Sequence, residues 1–242
     1  MLDEGADVIE VGGESTRPGA RSVEAAEEAS RVMPVIRGIA SSIAARWPHA
    51  RIAIDTVKSS VADAALGEGA AIVNDVSALR LDPRLAEVCA RHRACLVLMH
   101  SRGGVEDMAG YERAVYDAEG VVAEVVGELK DAAERAVAAG VARSEIVLDP
   151  GLGFSKRPAH SVEVLAHVPV LLELGFEVMV GASRKRFIGE LTGVTNPAGR
   201  IAGTIGANVA ALSLGATWFR VHDVRQNREA LDVAHAILEA RA

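Results

Sequence analysis

The sequence predicts one TIM-type (β/α)8 barrel with seven recognisable strands, and two patterns along the chain support this fold class. Seven short apolar runs alternate with helical segments, as expected of right-handed βαβ units around a parallel sheet. Each run ends in a different small polar cluster, which is typical of a barrel whose chemistry lies at one rim. The length of 242 residues matches one such barrel, so residues 1–242 are expected to form a single domain.

The predicted strands are short, mainly apolar runs bounded by polar residues or glycine. In chain order they cover residues 7–11, 52–54, 71–73, 96–99, 146–148, 178–180 and 218–219. The opening residues 1–7 look like the last turn of a helix that leads into the first strand. We therefore expect the first βα unit to be largely missing, and the native product to carry about 30 more N-terminal residues. With two unpaired sheet edges, the 242-residue chain is expected to be poorly stable and weakly active.

The predicted helices carry their apolar residues on one face. Val122, Val125 and Leu129 recur at helical spacing, and Gly140 follows them as a helix-ending glycine. The helices are predicted over residues 23–46, with an interruption at Pro34, and over 58–68, 83–92, 121–137, 161–173, 199–213 and 226–240.

The composition argues against several classes of function. The net charge of −7 and the aromatic content of 3% argue against a nucleic-acid partner. No apolar run reaches about 18 residues, so no membrane span is expected, and residues 1–5 do not resemble a signal peptide. Cys89 and Cys95 are expected to be reduced and buried, and no zinc-ligand spacing is visible. These features predict a cytoplasmic protein that acts on small molecules.

Three polar residues directly follow apolar runs and should point into the mouth of the barrel. They are Asp55, Asn74 and Asp149. Two carboxylates and one amide on rigid strand ends can hold the donor edge of a heterocycle that carries an amino group and a ring N–H. The alternative is that each side chain caps the helix or turn that follows it. Met99 also ends a strand, where it is either a core residue or the floor under a flat ligand.

Basic residues follow the last two predicted strands, where β/α barrels commonly bind phosphate. Arg184 and Lys185 follow one strand, and Arg220 and His222 follow the next. Arginine offers a bidentate fork to phosphate oxygens, and histidine can donate to an oxyanion. The alternative is a set of surface charges. The glycine-rich residues 12–19 are either a connector or a mobile lid over the same rim.

Together these clusters closely resemble the motifs of dihydropteroate synthase, a family of pterin-binding enzymes. The matching runs are 11–20, 54–56, 73–77, 98–100, 148–154, 181–185 and 220–224. The resemblance implies that 4-aminobenzoate condenses with a dihydropterin pyrophosphate, which releases pyrophosphate and gives dihydropteroate. It also implies a homodimer and Mg²⁺ as cofactor. The family's asparagine ligand to Mg²⁺ lies in the opening strand that is not seen here, so no metal ligand is assigned in this chain.

The resemblance also implies which residues form the site. The implied catalytic residues are Lys185, Arg220 and His222. The implied pterin-binding residues are Asp55, Asn74, Met99, Asp149 and Lys185. The implied pyrophosphate-binding residues are Thr16, Arg220, Val221 and His222. The implied aminobenzoate-binding residues are Ser15, Thr16, Arg17, Pro18, Phe154 and Lys185. Arg186 stands where many members have serine, so a serine contact to aminobenzoate is not carried over.

Two other functions compete with this one. A methyltetrahydrofolate-to-corrinoid methyltransferase would use the same heterocycle clamp without a pyrophosphate site, but residues 15–18 and 220–223 weigh against it. A non-catalytic paralogue that binds pterin or supports a partner enzyme is the other alternative. The missing strand favours the paralogue, whereas the intact clusters favour an enzyme.

Overall fold

The computed structural model describes residues 1–17, 19–117 and 120–241. Its centre is a parallel sheet in which strands adjacent in sequence are adjacent in space, in the order β1 to β7. The strands are β1 (Val8–Gly12), β2 (Arg51–Asp55), β3 (Ile72–Asp75), β4 (Cys95–Met99), β5 (Ile146–Asp149), β6 (Glu177–Val180) and β7 (Trp218–Phe219). This curled half-barrel confirms the predicted fold class and the position of each predicted strand.

Helices connect consecutive strands. They are α1 (Ala25–Arg46), α2 (Ser59–Gly67), α3 (Arg84–His92), α4 (Gly120–Ala138), α5 (Pro158–Ala166), α6 (Val168–Leu172), α7 (Arg186–Thr192), α8 (Ile201–Ser213) and α9 (Val224–Glu239). Short 3₁₀ turns cover Leu2–Glu4, Arg143–Glu145 and Pro197–Gly199. Within the described part of the chain, no helix is long and apolar enough to cross a membrane.

Three details of the helix prediction were wrong. α1 runs through Pro34 without a break, because its buried residues Val32 and Ile36 hold the helix against the core and offset the lost hydrogen bond. The segment predicted at 161–173 is two helices, since Pro169 sits in the first turn of α6, where proline favours a new start. α7 was not predicted at all, because seven residues are too few to show a helical period.

Alternation along the strands divides the core into two layers. The outer face of the sheet packs on the helices through residues such as Ile54, Leu98 and Leu148. The inner face fills the barrel with the small cluster Ala53, Ile72, Cys95, Val97, Val147 and Met179. Cys89 and Cys95 are both buried free thiols, which confirms the prediction for them. Since side chains alternate with period two, the next inward position of each strand lies one layer above this cluster.

The residues of that next layer are mostly polar, with Met99 as an apolar exception, and strand register brings them side by side. Asp55 pairs with Asn74 across β2 and β3, and Met99 pairs with Asp149 across β4 and β5. On β1 the inward positions are Val8, which packs on the inner cluster, and then Glu10. The carboxyl rim of the sheet therefore carries one polar layer directly above an apolar one.

Candidate active site

The clamp of Asp55, Asn74 and Asp149 lies at the predicted rim, and neighbouring residues do most of the capping. Thr56 Oγ1 accepts the Lys58 N–H at 3.2 Å, and Asp82 accepts the Ser59 N–H at the start of α2. Asp75 accepts the N–H groups of Ser77 and Leu79, so Asn74 is not used in that turn. The capping alternative is therefore wrong for Asp55 and Asn74, because adjacent side chains already supply these acceptors.

Asp149 holds its turn and also faces the cleft. It is 3% exposed, and its Oδ1 accepts the Gly151 N–H at 2.7 Å. Its Oδ2 lies beside Gly181, where a Cβ atom would come within 3.7 Å of it. Gly151 has a φ of 66°, and a Cβ there would lie 1.9 Å from the carbonyl oxygen of His100. Only glycine fits this turn, so the turn geometry that orients Asp149 depends on it.

Asn74 presents a buried acceptor that has no partner. Its Nδ2 donates to Glu10 Oε2 at 2.8 Å, which leaves Oδ1 aimed elsewhere. The residue is 2% exposed, and Oδ1 has no hydrogen-bond partner among the described residues. Buried polar atoms in native proteins are almost always bonded. An orphaned acceptor at a strand end is therefore free to accept a hydrogen bond from a ligand N–H.

Glu10 is the central residue that sequence reasoning missed. Arg220 Nε donates to Glu10 Oε1 at 2.7 Å, while Arg220 Nη2 donates to the same oxygen and to Asp55 Oδ2 at 3.3 Å. Glu10 thus links the clamp to the anion site by bonding both Asn74 and Arg220. The sequence shows only a carboxylate within the apolar run of β1, and this does not identify Asn74 and Arg220 as its partners.

The charges at the rim shift one another's ionisation. Burial and then the nearby Glu10 carboxylate raise the pKa of Asp55 to about 8. Burial also raises the pKa of Asp149, against the pull of Lys185. Burial lowers the pKa of Lys185 to about 8. Burial also disfavours the charged form of Arg220. The nearby Glu10 and Asp55 carboxylates have the larger effect, and they raise the pKa of the guanidinium.

Lys185 and Phe154 form the side of the cleft next to Asp149. Lys185 Nζ donates to the carbonyl oxygen of Leu152 and lies 4.1 Å from the centroid of the Phe154 ring. Phe154 also packs against the cluster of Val57, Val76, Met99, Val105 and Met108. Met99 is 3% exposed beside Asp149, so an apolar floor adjoins the clamp. The structure therefore brings Asp55, Asn74, Met99, Asp149, Phe154, Lys185 and Arg220 to one rim.

His222 is held at the edge of the site. Its Nδ1 lies 2.8 Å from Ser183 Oγ, and its backbone N–H donates to the same hydroxyl. Burial, then Arg184 and Arg220, lower the pKa of His222, so the ring is neutral near pH 7. Arg184 forms a two-point ion pair with Asp223, and therefore braces the 220–223 turn. Val221 lies partly buried between Arg220 and His222.

The glycine-rich loop is anchored at its base and open at its tip. Glu14 Oε1 accepts the Val23 N–H at 2.6 Å, and Glu14 Oε2 pairs with Lys58 at 2.9 Å. Ser15 and Arg17 are exposed, and Thr16 is partly buried. Among the residues that the structure describes, no hydrogen bond joins Ser15, Thr16 or Arg17 to the clamp. Pro18, the other predicted loop residue, lies outside the described residues.

Comparison with known proteins identifies the family. The profile of the family described as pterin binding enzyme matches residues 1–222. Dihydropteroate synthase from Mycobacterium leprae is 42% identical over 245 residues, which cover 99% of this chain and 83% of that protein. The chain belongs to the dihydropteroate synthase family of pterin-binding enzymes.

Solved structures of dihydropteroate synthases have the same fold. The Xanthomonas albilineans enzyme with 4-aminobenzoic acid has a TM-score of 0.88 and 42% identity, over 98% of this chain and 81% of that one. The same enzyme in complex with 7,8-dihydropteroate has a TM-score of 0.85 and 39% identity, with the same coverage. The function is therefore that of a dihydropteroate synthase, a transferase, and the corrinoid methyltransferase alternative is not supported.

Proposed function

We propose that the rim described above is the site at which this chain condenses 4-aminobenzoate with dihydropterin-6-ylmethyl diphosphate in folate biosynthesis. The observation that carries the assignment is the buried, unpartnered Oδ1 of Asn74, which lies at the same rim as the Asp149 carboxylate and its neighbouring cations Lys185 and Arg220. A pterin ring supplies amino and ring N–H donors to such acceptors. Its diphosphate would extend toward Arg220 and His222.

The clamp would hold the pterin by charge-assisted hydrogen bonds. Asp149 Oδ2 and Asn74 Oδ1 accept from the amino and ring N–H groups, and Lys185 donates to the ring oxygen or nitrogen. Met99 lies under the ring as an apolar floor. Asp55 adds a third acceptor once it is ionised. This arrangement fixes the ring plane and directs the reactive methylene toward Arg220.

Arg220 and His222 would stabilise the leaving group. In the reaction the bond between the pterin methylene and the diphosphate oxygen breaks, and its electron pair leaves with pyrophosphate. The amine of 4-aminobenzoate supplies the electron pair of the new carbon–nitrogen bond and then loses a proton to water or phosphate. The Arg220 fork and a neutral His222 N–H oppose the charge that grows on the departing oxygen. Thr16 and the Val221 backbone complete the proposed pyrophosphate site.

The aminobenzoate would lie between the loop and the Phe154 ring. Phe154 offers an aromatic face to the 4-aminobenzoate ring. Lys185 lies over that face, where it offers a cation to the carboxylate of 4-aminobenzoate or to the diphosphate oxygen on which negative charge develops. Ser15, Thr16, Arg17 and Pro18 of the loop would cover the ring from the solvent side. Close placement of amine and methylene converts a bimolecular encounter into an intramolecular step.

The Mg²⁺ expectation remains a proposal. Among residues 1–17, 19–117 and 120–241, no three His, Cys, Asp or Glu side chains are grouped so that they could hold a metal ion. Glu10 and Asp55, the carboxylates next to the anion site, are already paired with Arg220. This donor set does not fit a resident ion. Mg²⁺ that enters with the diphosphate agrees with its preference for substrate phosphates and retained water.

The homodimer and the cytoplasmic location are also proposals. Val233 and Ile237 are 63% and 59% exposed and lie one helical turn apart on α9. This exposed apolar face supports a contact with a second copy of the chain. The small molecules expected as substrates agree with a cytoplasmic enzyme.

The proposed function predicts pyrophosphate release that requires 4-aminobenzoate. The purified chain, given the dihydropterin diphosphate, should release pyrophosphate only when 4-aminobenzoate is added, with dihydropteroate seen by mass spectrometry in equal amount. Pterin binding measured by calorimetry without turnover would instead support the non-catalytic paralogue. Release at the same rate without 4-aminobenzoate would contradict the condensation.

The pKa values of Asp55 and Lys185 predict a narrow pH optimum for the reaction. Below about pH 8 Asp55 gains a proton and loses an acceptor, and above about pH 8 Lys185 loses its positive charge. A plot of kcat/KM for the dihydropterin diphosphate against pH should therefore be a bell with its maximum near pH 8. The Lys185→Arg variant should move the alkaline limb upward by about two pH units or more, because arginine stays charged. An unmoved alkaline limb would show that another group controls it.

A further inference from the structure

Lys156 is an unusual residue, because it is the largest side chain that the fold buries completely. It follows the turn after β5 and is 0% exposed. Its ammonium nitrogen lies 2.7 Å from His100 Nδ1, 3.3 Å from the carbonyl oxygen of Gly151 and 3.2 Å from that of Phe154. No carboxylate touches it within the described part of the chain. Lysine is almost never buried in this way unless it is paired.

The surroundings of Lys156 suit a protonated amine. Three acceptors match the three N–H groups of an ammonium ion. His100 Nε2 lies 3.2 Å from Glu128 Oε2, although not at a good hydrogen-bond angle, so Nε2 carries the imidazole proton and Nδ1 accepts from Lys156. Burial and then the Lys156 charge lower the pKa of His100 to about 4, so the ring is neutral.

The fixed charges around Lys156 oppose one another. Burial lowers the pKa of Lys156 well below its ordinary value, while Asp149 and Glu128 raise it and Lys185 and Arg102 lower it further. These groups lie on β5, on α4 and in the segments that follow β4 and β6. An ammonium ion at this position therefore costs free energy, and a buried methionine of similar volume would usually be at least as stable.

The two carbonyls bound by Lys156 are the two ends of one turn. Gly151 and Phe154 enclose Leu152, whose carbonyl oxygen accepts from Lys185 on the opposite side of the turn. The Phe154 ring lies 4.1 Å under the same Lys185 nitrogen. Gly151 also donates its N–H to Asp149 Oδ1. The buried amine of Lys156 thus binds both ends of the turn that contacts Asp149 and Lys185.

We propose that Lys156 is a positioning residue of the synthase reaction: it holds the 151–154 turn in the conformation that orients Asp149 and Lys185 toward the pterin. The inference rests on the roles proposed above for those two residues. Lys156 itself touches no substrate. It acts through the backbone it binds and through its charge, which favours the ionised form of Asp149.

Variants at position 156 separate these two effects. Lys156→Met removes both the charge and the hydrogen bonds, whereas Lys156→Gln keeps N–H donors for the carbonyls without the charge. The matched control is Lys130→Met, since Lys130 is exposed on α4, away from the rim. All three are compared with the wild-type chain by circular dichroism, thermal melting and the pH profile of kcat/KM for the dihydropterin diphosphate.

The expected result for Lys156→Met is a folded protein with kcat/KM lowered at least tenfold and an acid limb moved to higher pH. The limb moves because Asp149, whose raised pKa contributes to the acid limb together with that of Asp55, then faces only Lys185 and Arg220 as cations. Lys156→Gln should recover part of kcat/KM but not the position of the limb, and Lys130→Met should match wild type.

A folded Lys156→Met protein with the wild-type kcat/KM and an unmoved acid limb would overturn the proposal and leave Lys156 as a structural residue only. If the methionine variant does not fold, the glutamine variant decides by the same two measurements. Absence of turnover in the wild-type chain contradicts the proposed function instead, so the two failures are distinguishable.

Discussion

Asp149→Asn is expected to weaken binding of the dihydropterin diphosphate by at least about a hundredfold, with the fold intact. The asparagine oxygen can still accept the Gly151 N–H, as Asp149 Oδ1 does now. The amide nitrogen then takes the place of Oδ2 in the cleft. It presents donors to the donor edge of the ring, so a charge-assisted hydrogen bond is replaced by an unfavourable contact. Calorimetric titration measures the change directly.

Stability provides the control for this variant. Burial raises the pKa of Asp149, so folding disfavours its ionised form and the group's contribution to stability falls as pH rises through that raised pKa. The neutral amide removes this penalty. The melting temperature of Asp149→Asn at pH 8 should therefore equal or exceed that of wild type. Asp131→Asn, an exposed change on α4, should leave both quantities unchanged. Unchanged pterin affinity in Asp149→Asn would show that the clamp is wrongly assigned.

Arg220→Met is expected to lower kcat by about 10²–10³-fold, because it removes the main donor to the departing pyrophosphate. Arg220→Lys keeps a charge but not the bidentate fork, so it should lie between wild type and the methionine variant. Steady-state pyrophosphate release gives kcat, and product inhibition by added pyrophosphate should weaken in parallel. Arg225→Met, an exposed arginine on α9, is the matched control.

Removal of Arg220 also leaves Glu10 and Asp55 without their cation. The double variant Arg220→Met with Glu10→Gln relieves that repulsion and should restore any lost melting temperature without restoring kcat. Recovery of kcat in the double variant would mean that Arg220 serves only to neutralise Glu10. These outcomes separate a structural ion pair from a role in the reaction.

The clamp could be predicted from the sequence because parallel strands end at one rim. Asp55, Asn74 and Asp149 each follow an apolar run directly, and strand alternation places them above the inner core layer. Of the basic residues predicted to form the anion site, Arg220 and His222 lie at the rim, whereas Arg184 pairs with Asp223. The pairing of Arg184 could not be inferred from position alone, since Arg184 follows β6 and Asp223 follows β7.

Glu10 and Lys156 were beyond sequence reasoning for a different reason. Each is identified by what it contacts rather than by local pattern. Glu10 looks like one polar residue in a short strand, and Lys156 looks like a surface lysine in the polar segment 155–157. Only the folded register shows that the first bonds Asn74 and Arg220 and that the second is fully buried. Residues that support a site from behind are the ones that a linear motif does not reveal.

The pair of Glu10 and Arg220 joins residues 210 positions apart. Contacts of such long sequence separation form late, because the loop-closure entropy of the whole intervening chain must be overcome first. The half-site made by β2 to β5 can assemble early, but the anion site exists only after the first and last strands have met. Folding intermediates of this enzyme should therefore acquire pterin-binding groups before they acquire any capacity to release pyrophosphate.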